Sequence, residues 1–482
     1  MLFNSLDFAV FLPLVFGIYW LLKNYHLKYQ NTFLLLSSYV FYGWWDWRFL
    51  MLIAFSTIVD FIIGNLLFKA EKSFKRKILL SLSLVVNLGL LGFFKYFNFF
   101  IDNVNQVFSF LGKPLELRGL EIILPVGISF YTFQTLSYTL DIYHKKLKPT
   151  NNFMAFAGFV SFFPQLVAGP IERAKNLLPQ FKTIRVFNKQ KAIDGLRQIL
   201  WGLFKKIVIA DQCALIVNDC FSNPEAYNPL TLVFGAFFFA IQIYGDFSGY
   251  SDIAIGTARL FGFDLMKNFA FPYFSRNIAE FWRRWHISLS TWFRDYVYIP
   301  LGGSKGTKAM VVRNIFAVFL ISALWHGANW TFIIWGLIHA LCYVPLLFFN
   351  TTRTYTDTVA VNRLLPNLKE LLSILFTFIL TTLAWIFFRA ETLSHAFNYL
   401  DAIWSESIWQ IPNFVNNMMA FTTFLLVGFM LATEWIAREH NFALEKLATN
   451  WKRPLRWTFY YLLILSIFYF FGSEQEFIYF QF

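Results

Sequence analysis

The tripeptide Trp325-His326-Gly327 places an ionisable ring inside a part of the chain that is otherwise typical of a membrane-embedded segment. Largely apolar runs flank it at residues 315–324 and 331–338. A titratable group at membrane depth is costly, and it usually faces a protein interior or a wet cavity where it has a function. Because the ordinary pKa of imidazole is close to neutral, such a ring can take up and return a proton at physiological pH. We therefore predict that His326 carries the chemistry of this protein.

A second histidine lies in the aromatic segment 281–296. The large side chains of this segment recur at three- and four-residue steps and predict one stripe of a single α-helix: Trp282, Trp285, Leu289, Trp292 and Tyr296. On such a helix His286 falls at the edge of the stripe, Arg283 and Arg294 share a flank, and Arg284 lies opposite the stripe. Taken alone, the pattern favours an interfacial helix anchored by its tryptophans. Paired with His326, it favours a site that receives an anionic, phosphate-bearing donor and moves a proton.

Composition indicates what kind of scaffold must hold these two histidines. Of the 482 residues, 57% are hydrophobic and only 14% are charged, whereas soluble domains carry roughly 25% charged residues. Apolar runs near the ~20 residues needed to cross a bilayer recur throughout the chain. Spans or near-spans are predicted at 7–22, 32–46, 48–68, 78–100, 122–142, 153–170, 200–221, 229–258, 312–325, 329–349, 368–388, 417–437 and 455–472.

We therefore predict an all-α, polytopic integral membrane protein that forms a single domain over residues 1–482. Because some runs are too short or too polar to cross alone, we expect about eleven transmembrane helices plus re-entrant or interfacial helices. Small and polar residues alternate in 244–252, a pattern suited to close helix packing around a central funnel. The first apolar run lacks a basic region and a cleavage site, so we expect a retained span rather than a signal peptide.

The net charge of +13 is unevenly distributed. Basic clusters occur at 69–77, 145–148, 173–197, 276–313 and 438–456. Stretches almost free of Lys and Arg occur at 222–230, 393–416 and 472–482. The positive-inside rule makes the basic group cytoplasmic and both termini extracytoplasmic. Because the positive charge is divided among short loops, it argues against a nucleic-acid partner.

Several catalytic signatures are missing from the chain. It has no Gly-x-Ser-x-Gly elbow, no P-loop, no His-Glu-x-x-His and no His followed five positions later by Asp. The three cysteines form neither a disulfide framework nor a zinc signature, so we expect no metal site. A histidine base without an obvious protein nucleophile remains. Two other classes stay open: a transporter or export channel, which also needs polar groups at mid-membrane, and a scaffold subunit of an exopolysaccharide complex.

The chain resembles the membrane-bound O-acyltransferase family, in its bacterial branch of alginate O-acetyltransferases. The segments that carry this resemblance occur in order along the chain: 125–134 (PVGISFYTFQ), 163–171 (FPQLVAGPI), 245–252 (GDFSGYSD), 284–290 (RWHISLS), 298–303 (YIPLGG), 325–327 (WHG) and 477–482 (FIYFQF). Together they are specific, although Trp-His-Gly alone is not.

The resemblance implies that His326 is the catalytic residue and that His286 is the second family histidine. It also implies an O-acetyltransferase of the bacterial inner membrane, with acetyl-CoA as the donor substrate and no bound cofactor. The acetyl group would pass from a cytoplasmic thioester to an extracytoplasmic polysaccharide, either an alginate-like exopolysaccharide or a cell-wall polymer. Transfer would be direct or through a periplasmic partner of the SGNH-esterase type. Arg283, Arg284 and Arg294 would attract the donor phosphates, although anchoring at the membrane surface explains them equally well.

Overall fold

The computed structural model describes residues 1–405, 409–472 and 475–478, and all regular secondary structure within these ranges is helical. The described chain divides into two compact units, one formed by Met1–Ala192 with Thr257–Met266 and the other by Ile193–Gly256 with Lys267–Phe482. The predicted all-α membrane fold is confirmed. The prediction of a single domain stays a prediction. Residues 479–482 of the closing segment, on which part of the resemblance rests, lie outside the described residues.

The first unit contains eight complete helices. They are α1 (Leu6–Leu21), α2 (Leu27–Gly43), α3 (Leu50–Lys69), α4 (Ser73–Phe110), α5 (Ile128–Tyr143), α6 (Phe153–Ser161), α7 (Phe163–Leu166) and α8 (Ala174–Leu177). Helices α6 and α7 divide the predicted near-span 153–170 into pieces of 9 and 4 residues. Neither piece is long enough to cross a bilayer alone, as expected for a segment that enters and returns.

Buried polar groups in the first unit pair with one another. The carboxylate of Asp60 on α3 accepts hydrogen bonds from Ser83 Oγ at 2.6 Å and Asn87 Nδ2 at 2.8 Å, both on α4. In the loop before α8, buried Glu172 accepts from the backbone N–H of Met266. Burial raises the pKa of the Glu172 carboxyl to about 7. The buried carboxyl groups of Asp60 and Glu172 thus have hydrogen-bond donors within the protein, as membrane embedding favours.

The second unit contains the remaining helices, and two of them, α9 and α11, also contribute end residues to the first unit. They are α9 (Lys189–Leu203), α10 (Asp211–Ser222), α11 (Pro229–Leu260), α12 (Ile278–Arg284), α13 (Ile287–Phe293), α14 (Lys308–His326), α15 (Trp330–Phe348), α16 (Leu368–Arg389), α17 (Leu393–Trp404), α18 (Asn417–Ile436) and α19 (Arg453–Phe470). Stretches of π-helix follow α9 at Phe204–Ala210 and α13 at Arg294–Tyr298.

Eight helices of the described chain are long and apolar enough to cross a membrane: α1, α3, α4, α11, α14, α15, α16 and α18. The protein is therefore a multi-pass membrane protein. Helix α1 reaches that length with the 3₁₀ turn that continues it to Asn24, 19 residues in all, whereas α2 and α5, with 17 and 16 residues, fall short. The expected total of about eleven crossings thus stays a prediction.

The end of α9 and the π-helix that follows it pack closely against α11. A Cβ atom added at Gly202 would lie only 2.6 Å from the carbonyl oxygen of Gly249, so the two backbones touch where neither residue has a side chain. Single π-turns inside helices are frequent at functional sites because they redirect side chains. Here the π-turn carries two consecutive buried lysines, Lys205 and Lys206, which meet acidic residues of α11.

Candidate active site

His326 is the last residue of α14, and the chain reverses immediately after it. Gly327 is extended, and α15 begins three residues later, with the side chain of Asn329 capping its first turn by accepting from Thr331 N at 3.1 Å. The reversal explains how an imidazole can stand at the end of an apolar helix without facing lipid. Its side chain is only 4% exposed.

Aromatic rings surround His326. Ring centroids lie at 4.9 Å for Trp325, 5.1 Å for Trp335 on α15 and 5.4 Å for Phe388 on α16, and all three contacts are edge-to-face. Rings on three successive helices therefore hold the orientation of the imidazole. An environment of this kind excludes water and strengthens the electrostatic interactions within it.

His286 lies at a break in the chain rather than within a helix. The predicted single helix over 281–296 is wrong, because α12 ends at Arg284 and α13 begins at Ile287. His286 adopts a left-handed backbone conformation with φ +43° and ψ +54°. That conformation is uncommon for residues other than glycine and occurs disproportionately at functional sites. The break turns the His286 ring fully inward, to 0% exposure.

A polar chain fixes the orientation of the His286 ring. Its Nδ1 lies 3.0 Å from Asn268 Oδ1, and Asn268 Nδ2 donates to Ser251 Oγ on α11 at 3.0 Å. Because the amide oxygen can only accept, Nδ1 carries the proton and Nε2 is the basic nitrogen. Burial lowers the pKa of His286 to about 3, so the ring is neutral at physiological pH. His286 is thus suited to accept a hydrogen bond through Nε2.

Trp325 connects the two histidines that the sequence singled out. Its indole lies 4.9 Å from the His326 ring and 5.9 Å from the His286 ring, between centroids. Phe247 of α11 also contacts the His286 ring, edge to face, at 4.7 Å between centroids. The structure therefore brings His286 and His326 into one aromatic cluster, which no sequence spacing requires.

The three arginines make their own contacts within the protein. Arg283 donates to the backbone carbonyls of Thr352 at 2.8 Å and Tyr355 at 2.6 Å. Arg284 forms an ion pair with buried Glu280 at 2.8 Å. Arg294 pairs at 2.8 Å with the neighbouring Asp295, and its side chain is 60% exposed. Arg283 and Arg284 thus brace the loop 352–357 and α12, while Arg294 presents its charge to the surroundings. The assignment of donor phosphates to these residues stays a prediction.

The sequence interpretation missed several contributors to this region. Asp252 and Asp246 pair with lysines: Lys205 lies 2.6 Å from Asp252, and Lys206 lies 2.9 Å from Asp246. Asp246 also accepts from the backbone N–H of Ile478 at 2.7 Å. These ion pairs could have been anticipated from the sequence, because two adjacent lysines inside the apolar run 200–221 require buried acidic partners. The role of Asn268 carried no such signal, because an asparagine in a loop has no distinctive pattern.

The buried ion pairs adjoin the His286 site. Glu434 of α18 lies 3.8 Å from Lys205 and accepts from the hydroxyl of Tyr244 at 2.7 Å. A cavity of about 20 Å³ between Lys205, Ser251, Asn268 and Glu434 is large enough for a single water. The charged cluster and the residues that hold His286 therefore share one small polar chamber.

The chain belongs to the membrane-bound O-acyltransferase family, whose model matches residues 144–388 and so includes both histidines. The expected resemblance is therefore confirmed, and the protein is an acyltransferase.

Three relatives illustrate the range of this family. A probable alginate O-acetylase of Pseudomonas aeruginosa is 41% identical over 416 residues, which cover 85% of this chain and 76% of that protein. A peptidoglycan O-acetyltransferase of Helicobacter pylori is 33% identical over 532 residues, covering 100% of this chain and 98% of the relative. A teichoic acid D-alanyltransferase of Bacillus subtilis is 28% identical over 307 residues, covering 61% of this chain and 75% of the relative.

Proposed function

We propose that this protein transfers an acetyl group from a cytoplasmic thioester, acetyl-CoA, toward hydroxyl groups of an extracytoplasmic polysaccharide. The relatives are named for acyl transfer to alginate, peptidoglycan and teichoic acid, which supports a polymer of the cell surface as the final acceptor. A periplasmic partner of the SGNH-esterase type is one route to that polymer, and direct transfer is the other. The transporter and scaffold alternatives gain no support, since the family is one of enzymes.

The reaction assigns His326 the role of general base. Its basic nitrogen takes the proton of the acceptor hydroxyl while the oxygen forms a bond to the thioester carbonyl carbon, and the carbonyl π electrons move to the carbonyl oxygen. When this tetrahedral species collapses, the carbon–sulfur bond breaks, and the departing sulfur takes the proton from the His326 imidazolium. Such proton transfer typically contributes ~10²–10⁴-fold in rate. The neutral ring of His286 orients the reacting groups from the other side of Trp325.

The observation that carries this proposal is the shared contact of both histidines with Trp325. If His326 served only to pack the core, packing would not require a second buried imidazole, His286, in contact with the same tryptophan. The arrangement suits proton transfer, because a base (His326) and a hydrogen-bond acceptor (His286) both contact the same indole ring. The aromatic walls also suit a reactive thioester, which water would otherwise hydrolyse.

Purified protein in detergent with radiolabelled acetyl-CoA tests the function. We expect release of free coenzyme A that depends on added polysaccharide or partner acceptor, with loss of at least ~10²-fold in His326→Ala. His144→Ala is the matched control, because His144 is an exposed loop residue, and it should retain the wild-type rate. Wild-type transfer by His326→Ala would refute the assignment of the base.

We further propose that the protein lies in the bacterial inner membrane with its basic loops in the cytoplasm and both termini outside. The clusters at 69–77 and 276–313 against the Lys- and Arg-free stretches 222–230 and 393–416 support that orientation. Single cysteines placed at residue 225 and at residue 307 should react from opposite sides with a membrane-impermeant thiol reagent in intact cells. Labelling of both from outside would contradict the proposed orientation.

A further inference from the structure

Helix α15 presents a row of buried polar groups to the aromatic cluster around His326. Thr331, Trp335 and His339 recur at steps of four residues and therefore share one face of the helix. Their side chains are 0–1% exposed. Within the part of the chain that the structure describes, Thr331 Oγ1, Trp335 Nε1 and His339 Nε2 have no hydrogen-bond partner. Orphaned buried polar groups are rare in native proteins and require a physical reason.

The protonation of His339 follows from its neighbour. Trp282 Nε1 lies 3.4 Å from His339 Nδ1, and an indole nitrogen can only donate. His339 Nδ1 is therefore the acceptor, and in the neutral ring the proton is on Nε2. His339 and Trp335 thus each present an N–H group with no acceptor in the described chain. Two donors on one helix face without an acceptor indicate that the acceptor belongs to a ligand.

One donor adjoins the proposed base, and the other lies one ring further along α15. The Trp335 ring lies 5.1 Å from the His326 ring and 5.1 Å from the His339 ring, between centroids. The Trp335 ring therefore contacts both imidazoles. A group held beside His326 Nε2 or Nδ1 would come within reach of N–H groups already fixed in place by packing.

We propose that Trp335 and His339 donate their ring N–H groups to the carbonyl oxygen of the acyl group being transferred. The inference rests on the proposed acyl transfer and adds to it the residues that bind the developing oxyanion. The negative charge appears on that oxygen when the acceptor oxygen bonds to the carbonyl carbon, and it disappears when the carbon–sulfur bond breaks. Rigid donors in a dry site stabilise this charge without reorganising.

Variants that delete each N–H while keeping its bulk provide the test. Trp335→Phe and His339→Met should each lower kcat for transfer from radiolabelled acetyl-CoA by ~10²–10³-fold, with KM nearly unchanged. His339→Gln, which keeps an N–H donor, should recover much of the rate. The thermal unfolding temperature of Trp335→Phe should stay the same or rise, because an unpaired buried donor is removed. His339→Met also removes the acceptor of Trp282 Nε1, so that variant should unfold at a somewhat lower temperature.

Trp435→Phe is the matched control, since its indole donates to the carbonyl of Leu364 at 2.8 Å. That variant should lose stability and keep its rate, the reverse of the result expected for Trp335→Phe. If Trp335→Phe and His339→Met keep the wild-type kcat while His326→Ala is inactive, the oxyanion assignment fails and the proposed function stands. If both variants unfold at lower temperature and His339→Gln restores stability without restoring rate, the two residues are structural and the inference is overturned.

Discussion

Gly327 offers the sharpest test of the packing around His326. Its backbone is extended, with φ −166°, so a side chain there meets no conformational barrier. A Cβ at this position would, however, lie 2.0 Å from Cε2 of Phe332. Carbon atoms need ~3.5 Å, so the Phe332 ring must move by about 1.5 Å. Phe332 packs 4.9 Å from Phe388, which in turn lies 5.4 Å from His326, between centroids.

Gly327→Ala should therefore act on both stability and rate. Overpacking of this kind costs ~1–3 kcal/mol, and a displacement of about 1 Å near a reacting group can cost ~10²-fold in rate. Acetyl transfer from labelled acetyl-CoA and thermal unfolding in the same detergent measure the two effects.

Two further variants make that result interpretable. Gly428→Ala on α18 is the control, because nothing lies within 4 Å of its added Cβ, and it should be neutral or stabilising. Combining Gly327→Ala with Phe332→Val, which lacks the overlapping ring atoms, should recover part of the lost rate. A Gly327→Ala protein with wild-type transfer and wild-type stability would show that the ring contacts do not position His326.

Three other outcomes follow from charged residues. Burial raises the pKa of Glu172 from 4.5 to about 7, so between these values the carboxyl is protonated in the folded chain and ionised in the unfolded chain. The free energy of unfolding should therefore fall as the pH rises from about 5 to about 8. Glu172→Gln should flatten this pH dependence, as measured by thermal unfolding. Lys205→Met leaves Asp252 and Glu434 buried without their nearest cation and should destabilise the protein by ~3–5 kcal/mol, measured by denaturation in detergent. Arg294→Ala should raise the KM for acetyl-CoA at low salt and leave kcat unchanged; an unchanged KM would remove Arg294 from donor binding.

The sequence alone was sufficient to predict those features that depend on a short, continuous stretch of residues. Apolar length predicted the eight helices that could cross a membrane, and the isolated imidazole in an apolar run predicted that the side chain of His326 is buried. Both follow from the cost of polar groups in hydrocarbon, which acts on each segment separately.

Features that depend on tertiary contacts could not be predicted in this way. The periodicity of 281–296 is genuinely helical, yet the chain breaks at His286 because a left-handed residue there allows the ring to meet Asn268 and Phe247. Neither partner is close to His286 in sequence. A local sequence pattern therefore cannot reveal that contacts with Asn268 and Phe247 offset the cost of the strained backbone. His339 shows the same limit: its one hydrogen bond within the described chain is with Trp282, 57 residues away in sequence.

Helix α11 explains why a buried charge cluster stands beside the site at all. Phe247 and Ser251 of this helix hold the His286 region, and Asp252, the next residue, pairs with Lys205 at 2.6 Å. Because adjacent residues on one helix cannot move independently, a rotation of α11 that loosened Ser251 would also pull Asp252 away from its lysine. Separating a buried ion pair is far more costly than separating a hydroxyl–amide hydrogen bond. The ion pair thus fixes the rotation of α11, and through Ser251 and Asn268 it fixes the imidazole whose backbone is otherwise strained.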